Sequence, residues 1–196
     1  MILASGSPRR AELLRTAGYD FEVVIPPYTE PAGPPRWTFA AAAWAEALAY
    51  FKARSVGQLH PETVIIGADT VVVHEDRIIG KARDEQDARR ILSTLFAGRS
   101  EVITGLTVLS LDQNRRIITH ETTSLIMRPM NPDELEDYLR SGAWRDKAGA
   151  YALQEGGDKF LQSMEGSESN VVGLPMERLK NILLQFQKPQ DAEWTI

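Results

Sequence analysis

The chain has 196 residues, 43% of them hydrophobic and 25% charged, with a net charge of −5 and no cysteine. That length suits one domain with a sizeable core, which we bound at residues 1–187 with two lobes, followed by a polar tail over 188–196. The acidic balance argues against binding duplex nucleic acid, and the missing cysteine excludes disulfides, thiol nucleophiles and cysteinyl metal sites.

In chain order, Met1 to Ala4 reads as a short strand and Pro8 to Thr16 as a helix ended near Gly18. Phe21 to Ile25 reads as a second strand. Residues 26–35 hold five of the eleven prolines and must be loop, since proline lacks the donor that regular elements need. Thr38 is placed to cap an alanine-rich helix to about Arg54. Thr63 to Val73 is dense in β-branched residues and reads as a buried strand. Asp84 caps a helix to about Phe96. Glu101 to Leu111 and Arg116 to Met127 read as a hairpin through Asp112, Gln113 and Asn114. Asn131-Pro132 opens a helix that Gly142 closes. Tyr151 to Leu153 and Phe160 to Met164 read as strands. Asn170 to Pro175 reads as a strand, a glycine turn and a helix start, and Pro175 to Phe186 as the last helix. Strands and helices alternate with a hairpin among them, which predicts an α/β fold with a mixed sheet.

No segment has the roughly 18 continuous apolar residues of a membrane span. Met1 to Ala4 is too short for the apolar part of a secretion signal. A cytoplasmic protein is the expectation. Histidines 60, 74 and 120 form no metal-binding pattern and read as structural or surface residues.

The first strand is followed by Ser5-Gly6-Ser7, Pro8 and Arg9-Arg10. Ser7 suits a helix cap and Pro8 the first helical position. Open N–H groups and the helix dipole there favour an anion, which would also reconcile two arginines with a helix N-terminus. An ordinary capped helix with solvated arginines would leave the same trace. Asp69-Thr70 lies within an apolar strand. An unpaired buried carboxylate costs several kcal/mol, so Asp69 must face a cleft or a cation. It could activate water, hold a metal or mark a local turn. Lys81 after Gly80, and Lys52 after an apolar run, could each reach a phosphate or serve as plain surface cations. Asp146 to Tyr151 suits a tight loop against a ligand, and Gln154 carries an amide able to read a base edge or to face solvent.

Together these motifs resemble the Maf family of nucleoside triphosphate pyrophosphatases. The likeness runs through residues 2–10, Gly67 to Thr70, Gly80-Lys81, Asp146 to Tyr151 and Val171 to Pro175. It implies an elongated mixed sheet flanked by helices around a central cleft, akin to inosine triphosphate pyrophosphatases, often in a homodimer. It implies hydrolysis of a nucleoside triphosphate to monophosphate and pyrophosphate with a divalent metal, Mg²⁺ or Mn²⁺. By resemblance, Asp69 is the base. Ser7, Arg9, Arg10, Lys52 and Lys81 contact the phosphates. Glu30 and Asp69 lie at the metal, and Arg9, Thr70 and Gln154 place the chain on the dTTP/UTP side. The chain departs from the family's pattern at Ala82, where proline is usual, and at Ala152 to Glu155. The other readings are a nucleotide-binding regulator of cell division without turnover, and a purine-selective house-cleaning pyrophosphatase.

Overall fold

The computed structural model describes residues 1–31, 33, 40–153 and 156–186. The predicted cap Thr38, the amide Gln154 and the tail 188–196 lie outside the described residues. The elements run β1 (Ile2–Ala4), α1 (Pro8–Thr16), β2 (Glu22–Val24), α2 (Ala41–Gly57), β3 (Ile65–His74), β4 (Arg77–Ile79) and α3 (Glu85–Leu95). There follow β5 (Arg99–Ser110), β6 (Arg115–Met127), α4 (Pro132–Ser141), β7 (Leu161–Glu165), α5 (Glu168–Val172) and α6 (Met176–Phe186). The predicted mixed α/β architecture is therefore present.

The strands form one mixed sheet in the order β2-β1-β3-β5-β6-β7, with β4 also paired to β3. β1 is parallel to both β2 and β3, and the remaining pairs are antiparallel. Residue alternation along β3 sorts the core. Ile65 and Val71 face α2 with Ala53, Val56 and Ala45. Ile66 and Ala68 face the opposite side, against Leu14 of α1 and Leu179 and Ile182 of α6. Farther along that second face, Val72 and Val102 join a separate cluster with Leu92 and Leu95 of α3, Tyr138 of α4 and Phe160. The second face thus carries two apolar groups at its two ends.

α2 lies unusually close to the sheet because two glycines let it. A Cβ on Gly67 would sit 2.8 Å from Ala53 Cβ, and one on Gly105 would sit 2.5 Å from the Glu46 nitrogen. Such approaches force a shift, so a side chain at either place would lift the helix from β3 and β5.

Local chemistry sets the helix starts. Asp84 Oδ1 accepts from the Asp87 N–H at 2.7 Å. Asn131 and Glu134 form a reciprocal capping box, each side chain accepting from the other's backbone N–H at 2.9 Å. Ser7 occupies the N-cap of α1, but its side chain makes no cap hydrogen bond, unlike the expected cap. Two further expectations are corrected, and one strand is added. Asn170 to Gly173 is not a strand and turn; residues 168–172 form α5, whose cap Ser167 accepts from the Asn170 N–H. The turn of Asp146 to Tyr151 leads into no strand at Tyr151. The sequence reading holds no counterpart of β4. This strand returns on β3 through Glu75 and Asp76, whose φ angles of 48° and 59° make the primed type of tight turn without a glycine.

Paired carboxylates give the fold a defined acid response. Hydrogen bonds from Arg90 and then Arg83 hold the Asp87 carboxyl down at about 2, against an ordinary 3.8. Arg128, then the Asn131 N–H, hold Glu134 at about 2, against 4.5. Between about pH 5 and pH 2 the unfolded chain binds protons that the folded chain refuses. Their stabilisation is therefore complete above about pH 5 and is lost as the pH falls through 2. The melting temperature should be level near pH 6 and fall steadily below about pH 4.5. A level melting temperature down to pH 3 would contradict these assignments.

Candidate active site

The chain turns to opposite sides of β1. α1 connects β1 to β2 along one face of the sheet, and α2 connects β2 to β3 along the other. A crevice opens where strand order reverses in this way, at the carboxyl end of the central strand. Here it is widened by a break in pairing. β3 pairs with β1 only as far as Gly67 and with β4 only from Val72 onward. Residues 68–71 therefore have a neighbour on one side alone, β5. That is how a carboxylate is tolerated in so apolar a strand: Asp69 and Thr70 lie at a notch in the sheet.

A cleft of about 660 Å³ occupies the notch. Ser7, Arg9, Arg10, Glu30, Lys52, Asp69, Thr70 and Lys81 all line it. Eight of the predicted positions, spread over 75 residues of sequence, thus converge; the ninth, Gln154, lies outside the described residues. Sequence reasoning missed the apolar walls, including Trp44, Leu48 and Val102. Nothing in their local pattern separates them from ordinary core.

Adjacent residues of a strand point to opposite faces, so Asp69 and Thr70 serve different sides of the notch. On the α2 side, Lys52 Nζ contacts Asp69 Oδ1 and lies 2.6 Å from Glu30 Oε1. The Lys52 and Asp69 side chains are each 12% exposed, Glu30 51%. Tyr28 stacks on Phe51 with ring centroids 5.7 Å apart, which ties the loop of Glu30 to the helix that carries Lys52. Burial alone would raise the Glu30 carboxyl. The Lys52 hydrogen bond and the charges of Lys52, Lys81 and Arg10 outweigh it and hold the group below its usual value. Lys52 is thus the cation that neutralises both carboxylates here.

On the α1 side, Arg10 is anchored. Its Nε donates to the Gly173 carbonyl at 2.7 Å, Nη1 to Ser5 Oγ at 3.1 Å and Nη2 to Thr70 Oγ1 at 3.1 Å. Burial lowers its pKa, Asp69 and Glu30 partly oppose that, and Arg9 adds to the lowering. Lys81 approaches across the notch. It forms a bridge with Ala148, and the Gly149 N–H bonds the Gly80 carbonyl at 3.1 Å, so the turn of Asp146 to Tyr151 backs it. Four cations and the N-terminus of α1 thus surround two carboxylates.

A family model described as Maf-like protein matches residues 1–186. The chain belongs to the Maf-like family. A dTTP/UTP pyrophosphatase from Ruminiclostridium cellulolyticum is 40% identical over 93% of this chain and 94% of its own length. Proteins with that name from Vibrio parahaemolyticus and Bacillus cytotoxicus are 36% and 38% identical, over 95% and 94% of this chain and 96% and 94% of theirs. The solved Ham1 protein of Staphylococcus aureus aligns over 94% of this chain and 96% of its own, at 14% identity and a TM-score of 0.48. Among the described residues, no helix is long and apolar enough to cross a membrane.

Proposed function

We propose that this Maf-like chain hydrolyses dTTP and UTP to the monophosphate and pyrophosphate. The observation that carries the reading is the convergence of Arg9, Arg10, Lys52 and Lys81 on Asp69 and Glu30 in one cleft beside a helix N-terminus. Relatives named dTTP/UTP pyrophosphatase, similar over nearly their whole length, supply the substrate.

Cleaving a phosphoanhydride asks mainly for positioning and charge stabilisation. Arg9, Arg10 and Lys81, with the first N–H groups of α1, hold the triphosphate. The apolar side chains of Ile79, Val102, Leu153 and Val171 give the nucleoside a dry wall. Asp69 orients the attacking water and takes its proton. The water oxygen bonds to the α phosphorus, the bond from that phosphorus to the α–β bridging oxygen breaks, and pyrophosphate leaves with the electron pair.

The donor set fits Mg²⁺. Glu30 and Asp69 already share one cation, and Mg²⁺ is commonly held by one or two carboxylates together with substrate phosphates. Bound there, Mg²⁺ supplies Lewis-acid polarisation of phosphate oxygens. With the two carboxylates held by the metal, Lys52 would be free to serve the phosphates as a point charge.

A substrate panel tests the reading. Pyrophosphate release with Mg²⁺ should be fastest for dTTP and UTP, and slower by about tenfold or more for dCTP, GTP, ITP and XTP. Preference for ITP or XTP would overturn the base assignment. Triphosphates left intact after long incubation would favour a binding regulator.

A further inference from the structure

From the cleft wall into the core, a chain of hydrogen-bonded polar groups runs in a single proton direction. Arg10 Nη2 lies 3.1 Å from Thr70 Oγ1, Thr70 Oγ1 lies 2.9 Å from Thr104 Oγ1, and Thr104 Oγ1 lies 3.0 Å from the Asn170 carbonyl. A carbonyl only accepts and a guanidinium only donates. Thr104 has one proton, which goes to Asn170. Thr70 must then give its own proton to Thr104, and accept from Arg10. The order Arg10 to Thr70 to Thr104 to Asn170 is fixed by chemistry, and bonds aligned in this way strengthen one another.

The far end of the chain is firmly held. Asn170 Nδ2 donates to the Val102 carbonyl and to Thr123 Oγ1, both at 2.9 Å. Asn170 and Thr104 are completely buried. The same short segment ends at Gly173, whose carbonyl takes the Arg10 Nε proton. Gly173 has a φ of +121°, and a Cβ there would lie 3.3 Å from Thr70 Oγ1 and 3.4 Å from Arg10 Nε. Two carbonyls of one segment, from Asn170 and Gly173, therefore terminate the bonds that set the Arg10–Thr70 pair.

We propose that Thr104 is a positioning residue for the triphosphate site. It lies outside the cleft lining, and it acts by holding Thr70 as an acceptor so that Thr70 and Gly173 fix the Arg10 guanidinium. This rests on Arg10 serving the substrate, as proposed above. A consequence is that Thr70 offers the cleft a lone pair and no proton.

The test separates the hydroxyl from packing. Thr104→Val keeps the volume and loses the hydroxyl. Thr104→Ser keeps the hydroxyl and loses a buried methyl, so it should melt lower than the natural protein. With dTTP and Mg²⁺, Thr104→Val should lose about tenfold or more in kcat/KM, whereas Thr104→Ser stays within about threefold. Thr104→Cys, with a weak donor, should fall between them, and it carries the test should the valine variant not fold. A near-normal kcat/KM in the valine or cysteine variant, or equal losses in serine and valine, overturns the proposal. Calorimetric binding of an α,β-methylene analogue of dTTP keeps this claim distinct from the reaction. A natural protein that binds the analogue but leaves dTTP intact removes the proposed hydrolysis. Weaker analogue binding in the valine variant alone still supports Thr104 as a positioning residue, and equal Kd values across the variants overturn it.

Discussion

Asp69→Asn should abolish nearly all pyrophosphate release from dTTP while leaving a folded protein. The substitution keeps the shape and removes the charge and the proton-accepting oxygen. General-base catalysis contributes about 10²–10⁴ in rate, and a fall of that size in kcat is the expected result. Affinity for the metal-free triphosphate should hold or improve, since a negative charge beside the phosphates is gone. Lys52 keeps Glu30 as a partner at 2.6 Å, so the loss of its contact with Asp69 leaves no bare buried ammonium. Parallel kinetics and thermal melting check this. A turnover like that of the natural protein would remove Asp69 from the chemistry.

Lys52→Met has a different expected signature, because Lys52 is the cation between two carboxylates. Its loss leaves Asp69, nearly buried, facing Glu30 with like charge. Breaking a buried pair by removing one partner costs about 3–5 kcal/mol, and half-exposed Glu30 places this site toward or below the lower end of that range. Catalysis should fall by about 10² or more, since a charge that stabilises the transition state is also lost. Mg²⁺ should raise the melting temperature of this variant more than that of the natural protein, by filling the vacated position between the carboxylates. An equal response in both proteins would show that Glu30 and Asp69 do not share a metal.

Much of this site is legible in the sequence because it breaks local rules. A carboxylate within a run of valines and isoleucines, and two arginines at a helix N-terminus, conflict with burial and dipole unless something compensates them. The compensation is tertiary and could not be read. The pairing gap over residues 68–71 depends on where β1 stops and β4 begins, and β4 itself hides behind a Glu75–Asp76 turn that lacks the usual glycine. That Lys52 bridges Asp69 and Glu30 follows from how closely α2 sits on Gly67 and Gly105, a contact between segments far apart in the chain. Val171 and Val172 favour extended backbone and so suggest a strand, whereas the cap Ser167 is the local signal for α5. Thr104 is one β-branched residue among several in β5. Only its register opposite Thr70 distinguishes it.

Phosphorus NMR of the natural protein incubated with dTTP and Mg²⁺ tests the central claim most directly. The predicted products are dTMP and pyrophosphate in equal amounts, formed without a dTDP intermediate. Release of dTDP with inorganic phosphate, or dTTP unchanged after many hours, would contradict a water-attacked α–β anhydride at Asp69.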